Sequence, residues 1–209
     1  MYTADGGRLV SSGKGRTGND QDEVVEPMLM ASKTTERPSF KRLIVQFVLV
    51  FGLVMGLYYA LAATPLYRNT VFPAYLQINA AISAEILSWL GEETSATGNT
   101  VVSPKFSVGI EQGCDAIEPS FLFLAAVLAF PVAFRMKLPG IFIGVPLLLL
   151  INLVRIISLY YVGVFYPESF QLMHIDVWQP AFIFLLLLFW AIWFFWVVRR
   201  IRAQLNDPA

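Results

Sequence analysis

Long apolar runs separated by short polar stretches dominate the chain after about residue 40. The first run covers residues 43–63 and is interrupted only by Gln46. Three further apolar runs cover residues 117–134, 138–161 and 181–198. About 20 apolar residues in a helix cross the hydrocarbon core of a bilayer, so this pattern predicts four transmembrane helices.

The segment between the first two runs, residues 64–116, has other periodicities. Residues 72–90 repeat large apolar side chains at helical spacing, and Gln77 and Glu85 lie on another face. This pattern predicts an amphipathic helix on the bilayer surface or capping the bundle, although its length would also allow a span. Residues 100–112 alternate between apolar and polar, which predicts a short extramembrane β-hairpin.

Composition supports a membrane protein. Of the 209 residues, 56% are hydrophobic and only 14% are charged, against roughly 25% charged residues in soluble domains. Residues 1–39 are rich in Gly, Ser, Thr and charges without periodicity, which predicts a disordered cytoplasmic tail. We therefore expect an all-α polytopic membrane protein whose embedded domain covers residues 40–202.

The single cysteine and the single histidine limit the chemistry. One cysteine excludes an intramolecular disulfide and any cysteine-based metal cluster. With one histidine, a zinc or iron site is not expected either. We therefore predict no metal and no cofactor. We also predict no nucleic-acid partner, and we expect membrane lipids to surround the spans.

Positive charges orient the predicted spans. Basic residues gather near the ends that would face the cytoplasm, and only two lie in the outer segments. Nine against two favours both termini in the cytoplasm and residues 64–116 outside. The nine are Lys33, Arg37, Lys41, Arg42, Arg135, Lys137, Arg199, Arg200 and Arg202, and the two are Arg68 and Lys105. A span over residues 72–90 would put Arg135 on the opposite side, so we do not predict one.

Three singular polar residues of the apolar half fall on the outer side of this topology. Cys114 lies just before the second run. Arg155 lies six residues before the end of the third run, roughly 9 Å below the surface at 1.5 Å per residue. His174 lies in a predicted loop over residues 164–179 that precedes the last run. The sequence thus predicts a thiol, a guanidinium and an imidazole at similar depth.

The thiol has two interpretations. A buried membrane cysteine taken alone is usually an inert small hydrophobe. Cys114, however, is expected at the N-terminus of a helix, where the dipole favours a thiolate, while the charge of Asp115 opposes it. Asp115 is a candidate N-cap of the second span, and Glu118 is an acid in its first turn.

The buried cation and the imidazole also leave alternatives open. An arginine inside a span is costly and by default marks function. Arg155 could instead snorkel to the outer headgroups, or pair with Glu118 or Glu85. Asn152 shares its helical face and could hold it.

A lone loop histidine is more often solvated than catalytic. Asp176, two residues after His174, is one candidate partner for its ring. Among the other candidates are Glu111 and Gln179.

These residues resemble the exosortase/archaeosortase family, on GCDAIEP at 113–119 and NLVRI at 152–156. The resemblance implies a polytopic membrane cysteine protease or transpeptidase of the bacterial cytoplasmic (inner) membrane, with an extracytoplasmic active site. Carried over, Cys114 is the nucleophile, and Arg155 and His174 are its catalytic partners. The implied partners are secreted proteins with a C-terminal motif, one transmembrane segment and a basic tail, and an acceptor that is a lipid or a glycan.

The chain departs from the commoner family pattern at two positions. Ser-Gly usually follows the cysteine, and here Asp115 and Ala116 follow it. The chain is also short, and it is most similar to the compact exosortase H branch. Outside the enzyme classes, a membrane assembly protein that pairs Arg155 with an acidic residue of another subunit is the main alternative, and a small transporter is a weaker one.

Overall fold

The computed structural model describes residues 40–206, and the expected disordered tail over residues 1–39 lies outside the described residues. The described helices are α1 (Phe40–Ala62), α2 (Phe72–Trp89), α3 (Ile117–Ala129), α4 (Phe134–Pro139), α5 (Val145–Phe165) and α6 (Trp178–Asn206). Wide π-helical turns lead directly into three of them: Tyr67–Val71 into α2, Gly140–Gly144 into α5 and Leu172–Val177 into α6.

The all-α polytopic architecture is confirmed. Three helical segments are long and apolar enough to cross a membrane: Phe40–Ala62, Phe134–Phe165 and Leu172–Asn206. The second predicted span, 117–134, is helical only over the 13 residues of α3, about 20 Å against a core of about 30 Å.

The chain leaves the helix at Phe130, whose backbone is extended (φ −67°, ψ 130°). Pro131 follows, and a proline disfavours helical geometry in the residue before it. The early end of α3 therefore has a local cause that hydropathy does not register.

The predicted loop over residues 164–179 is wrong. Helix α5 continues to Phe165, a 3₁₀ turn covers Pro167–Ser169, and the turn Leu172–Val177 joins α6. No glycine interrupts this stretch, and Pro167 stands at the start of its turn, where its missing N–H is harmless. His174 therefore lies on a helical turn continuous with the last long helix.

A three-stranded antiparallel sheet forms the region before Cys114. Strand β2 (Thr100–Val102) pairs with β3 (Val108–Gly109), with Val101 opposite Val108, which confirms the predicted hairpin. Strand β1 (Ser95–Thr97) adds to the other edge of β2. This strand lies before residues 100–112, where the sequence predicted the hairpin.

Helix α2 buries a face other than the one that carries Ile78 and Trp89. Leu76, Ala80 and Leu87 are buried and pack with residues of the sheet and of α5. In contrast, Ile78 is 57% exposed and Trp89 is 78% exposed. The helix is thus apolar on both sides, and its exposed apolar side fits the predicted position at the bilayer surface.

The bundle core forms around α3, which packs against α1 on one side and against α5 and α6 on the other. Close approach depends on glycine at Gly144, where a Cβ atom would stand 2.4 Å from the ring of Phe123. The indole nitrogen of Trp193 donates to the carbonyl of Met136 at 2.9 Å, which fixes α6 against α4. This packing holds the starts of α3 and α6 and the later half of α5 together.

Candidate active site

A tight loop presents Cys114 just before α3. Gly113 (φ +92°) and Ala116 (φ +60°) are both in the left-handed region, one before and one after Cys114 and Asp115. Between them, the carboxylate of Asp115 accepts hydrogen bonds from the backbone N–H of Gly113 at 3.2 Å and of Ile117 at 2.7 Å. The N-cap position belongs to Ala116 rather than to Asp115 as predicted, but the carboxylate still satisfies the first N–H of the helix.

The thiol of Cys114 lies against the imidazole of His174. Its Sγ is 3.0 Å from Nε2 and 3.9 Å from Nδ1 of the ring. Phe170 stacks on the imidazole with centroids 5.9 Å apart and planes inclined by 17°. The π-helical turn thus carries the ring to the thiol, and Phe170 supports the ring from one face.

Arg155 is the third group at this point. Its side chain is only 3% exposed, and Nη2 lies 3.6 Å from Sγ of Cys114. Nη1 donates to the carbonyl of Gly113, and Nη2 donates to the carbonyl of His174, each at 3.4 Å. The guanidinium also lies over the ring of Phe182, 6.0 Å from its centroid. One cation therefore connects the loop of the thiol to the turn of the imidazole.

These contacts bear on the two structural alternatives for Arg155. Its burial is the opposite of a snorkelling side chain, which would reach the headgroups. Within residues 40–206, no salt bridge joins it to Glu118 or to Glu85. The guanidinium is directed inward, to the cysteine and two backbone carbonyls.

Of the other predicted site residues, some lie at the cluster and some do not. Asn152 is fully buried, but neither atom of its amide has a partner among the described residues, so it does not hold Arg155. Glu118 is exposed and accepts a hydrogen bond from the hydroxyl of Tyr59. Asp176 is exposed and does not bond to His174. Of this set, only Asp115 builds the loop around the thiol.

Burial controls the resting state of the thiol. Desolvation raises the pKa of Cys114, the charge of Arg155 acts against that rise, and the charge of Asp115 adds to it. The pKa of the Asp115 carboxyl is itself raised by burial, although its two backbone hydrogen bonds oppose the rise. Burial thus favours the neutral thiol over the thiolate, against the expected effect of the helix dipole. Reaction requires a base that takes its proton, and the imidazole is in contact with it.

An open cavity of about 830 Å³ adjoins the cluster at Arg155, while Cys114 and His174 are not among the residues that line it. Its walls come from the end of α1, the turn before α2, the start of α3 and the start of α6. Gly113 and Asp115, which flank the cysteine, line it, as does Arg155. Arg155, whose Nη2 lies 3.6 Å from Sγ of Cys114, thus connects the thiol to this cavity.

Several residues that support the active site were not predicted from the sequence. The hydroxyl of Tyr75 on α2 donates to the carbonyl of Asp115 at 2.6 Å, and no local pattern marks a contact 40 residues distant. Phe182 under the guanidinium is one apolar residue among many in α6. Phe170 was detectable in principle, because it precedes His174 by four residues, which is the spacing of neighbours on a helix.

The fold and the site together define a polytopic membrane protein with a buried cysteine–histidine–arginine cluster. Residues 43–191, well over half of the chain, match the family model described as Transmembrane exosortase (Exosortase_EpsH), and the chain belongs to this family of cysteine transpeptidases. No curated protein and no solved structure gives a significant match. Membership of the compact exosortase H branch stays a prediction.

Proposed function

We propose that this chain is an active membrane transpeptidase with Cys114 as its nucleophile. The observation that carries the proposal is the 3.0 Å contact between Sγ of Cys114 and Nε2 of His174. A nucleophile and its base within hydrogen-bond reach are the structural signature of covalent catalysis. Family membership supplies the class of reaction, and this contact supplies its first step.

In that step, Nε2 of His174 takes the thiol proton while Sγ attacks the substrate carbonyl carbon. The ring therefore carries its own proton on Nδ1 at rest. After the attack, the imidazolium returns a proton to the leaving amine, and an acyl thioester remains on Cys114. The raised pKa of the thiol favours this coupled transfer over a thiolate formed in advance.

Arg155 stabilises the oxyanion of the tetrahedral intermediate in this mechanism. Its hydrogen bonds are long, 3.4 Å to each of two carbonyls, and its Nε has no partner among the described residues. The guanidinium therefore has donor capacity left in a site of low dielectric, where charge stabilisation is strong. In the resting protein, the same cation holds the two catalytic segments together.

The substrate in this proposal is a secreted protein that ends in a short motif, one transmembrane segment and a basic tail. In this proposal, such a segment enters from the lipid at the cavity that the end of α1 and the start of α6 help to line. With both termini of the enzyme in the cytoplasm, as the charge distribution predicts, the thiol lies at the outer face and the basic tail lies inside. The thioester then passes to an amine or hydroxyl acceptor, or to water.

Trapping of the thioester tests this proposal. A secreted protein of the same organism that ends in the tripartite signal is incubated with the full-length enzyme in detergent and quenched in acid. We expect a covalent adduct on Cys114, sensitive to hydroxylamine and located by mass spectrometry. Because the chain has a single cysteine, a thiol adduct has one possible site. Cleavage of the substrate without any adduct would exclude Cys114 as the nucleophile.

The pH dependence of thiol alkylation tests the resting state. We expect the rate with iodoacetamide to rise with pH through an apparent pKa above the roughly 8.5 of an ordinary cysteine, because burial raises the pKa of Cys114. Asp115→Asn removes a negative charge and should lower this pKa, whereas Arg155→Gln removes a positive charge and should raise it. An apparent pKa at or below 7 would indicate a preformed thiolate–imidazolium pair instead.

A further inference from the structure

Aromatic rings form one wall of the cavity beside Arg155, and the reaction of the thiol does not require them. Tyr58 and Tyr59 at the end of α1 pack with ring centroids 5.0 Å apart, and Tyr67 stacks on Phe72 at 5.8 Å. All four rings line the cavity. Over the part of the chain that the structure describes, no Lys or Arg side chain lies over any of them.

A carboxylate stands beside these rings. Glu118 lines the same cavity and is held by the hydroxyl of Tyr59. The only salt bridge within residues 40–206 joins Lys105 to Glu92, so Glu118 has no cationic partner there. Asp115 also lines the cavity, but its oxygens are occupied by backbone N–H groups.

We propose that this cavity binds a primary ammonium group against Glu118 and the tyrosines, and that its amine is the acceptor of the acyl group. Aromatic faces combined with a carboxylate are the chemistry that recognises organic ammonium ions. The proposal rests on the proposed transpeptidase function and deepens it, since it selects an amine over a hydroxyl acceptor.

Arg155 connects the thiol, which would carry the acyl group, to this cavity. Arg155 lines it and is 3% exposed, and its Nε is buried without a partner among the described residues. An unpartnered N–H of this kind is suited to a ligand oxygen. With the acyl chain on Cys114, the thioester oxygen occupies that place, and the ammonium site lies along the same cavity wall.

The bound ammonium first loses one proton, which Glu118 accepts and passes to solvent. The free amine attacks the thioester carbon, the C–N bond forms and the C–S bond breaks. The electron pair of the broken bond returns to sulfur, and the second amine proton reaches it through His174. The products are an amide and the free thiol, and neither an oxidant nor a further reactant is needed.

Arg68 brings a positive charge to the same cavity that Glu118 lines. Its Nε donates to the carbonyl of Ala62 at 3.3 Å, which leaves the rest of the guanidinium for a ligand. A cation near an ammonium site is unfavourable for a lysine side chain, but it complements a headgroup that carries phosphate beside its amine. The ammonium could come from either source, and Arg68 distinguishes the two.

The main test compares Glu118→Gln with Glu85→Gln in the full-length enzyme. Glutamine keeps an acceptor for Tyr59 but removes the charge, and Glu85 is an exposed glutamate on α2 that is not part of the cavity. We expect Glu118→Gln to raise the ethanolamine concentration for half-maximal amide formation about tenfold, the range of one charge-assisted contact. The control should match the wild type. An unchanged amine dependence in Glu118→Gln would overturn the proposal.

The source is identified with three probes that share a primary amine: ethanolamine, glycerophosphoethanolamine and Nα-acetyl-lysine amide. Arg68→Gln should weaken only glycerophosphoethanolamine if the acceptor is a phospholipid headgroup. If Arg68→Gln changes none of them, the ammonium site stands and the headgroup is excluded as its source.

Binding without turnover separates this proposal from the transpeptidase function. Ethanolamine binding to the Cys114→Ala protein, followed by ligand-observed NMR, needs no reaction and should weaken when Glu118→Gln is added. Binding together with a wild-type protein that forms no thioester would refute the transpeptidase and leave the ammonium site standing. A thioester with no amine binding would refute only the ammonium site.

Discussion

Cys114→Ala should leave the secreted substrate uncleaved, with a rate at least about 10³-fold below that of the wild type. Alanine removes the only sulfur nucleophile of the chain while it keeps the loop, since the side chain of Asp115 makes the local hydrogen bonds. His174→Ala should lower the rate by a similar factor, because Nε2 is the group in contact with the thiol. The double variant should be no slower than either single one, as residues that act as a unit are not additive.

This experiment is a co-expression assay in which the substrate is followed by its loss of mass on a gel. Asp176→Asn is the matched control, because Asp176 lies two residues from His174, is exposed and does not bond to it. The control should process the substrate at the wild-type rate. Membrane insertion of every variant is checked by fractionation. Wild-type processing by an inserted Cys114→Ala protein would refute the nucleophile assignment, and an inactive Asp176→Asn would restore the role that the sequence suggested for it.

The parts of the fold predicted correctly were those set by hydropathy. A long apolar helix is stable mainly inside a bilayer, so the span Phe40–Ala62 could be predicted from the sequence. The short α3 was overestimated because its run stays apolar past Phe130, while the backbone ends the helix before Pro131. The local signal was present, but a hydropathy pattern alone does not weigh it.

Helix α2 shows a different limit. Its sequence offers two apolar faces, one with isoleucine and tryptophan and one that mixes alanines with leucines, and amphipathicity favoured the first. The structure buries the mixed face, on which Ala80 and Ala84 lie beside Leu76 and Leu87, against the sheet and α5. The choice depends on partners that are distant in sequence, so the pattern within the helix could not make it.

Within the site, residues that are chemically singular were easier to predict than their surroundings. Cys114 and His174 stand out because each is the single residue of its type, and Arg155 because it lies inside an apolar run; the structure brings these three together. Their supports, Tyr75 and Phe182, are ordinary residue types whose roles come only from tertiary contacts. Asn152 shows the converse, since its helical spacing suggested a bond that its amide does not make.

The departure from the Ser-Gly pattern after the cysteine now has a physical account. Position 116 is in the left-handed region at φ +60°, where glycine is favoured and alanine costs about 1 kcal/mol. Position 115 needs a short side chain with an oxygen that accepts from the backbone, which aspartate supplies. Asp115-Ala116 thus builds the turn that Ser-Gly would build, with one added charge beside the thiol.

Arg155→Lys should lower processing about 10²–10³-fold, the range seen when one oxyanion donor is removed. Lysine keeps the positive charge but presents one ammonium in place of a planar fork. It cannot reach Gly113, the thiol and His174 at once, as the guanidinium does. Arg155→Gln should lose more, since the charge disappears as well, so the order of rates should be wild type, Lys, Gln. Steady-state cleavage of the same substrate measures that order.

A second readout separates catalysis from assembly. If Arg155 only ties the two segments together, its loss should lower thermal stability, and cleavage should return at low temperature, where the fold is intact. If it stabilises the oxyanion, the Arg155→Lys protein should stay slow at a temperature where its melting curve shows it fully folded. Because the guanidinium has both long contacts and an unpartnered Nε, we expect the second result. Full recovery on cooling would assign Arg155 to structure alone and would leave the thiol and imidazole without an electrostatic partner in the reaction.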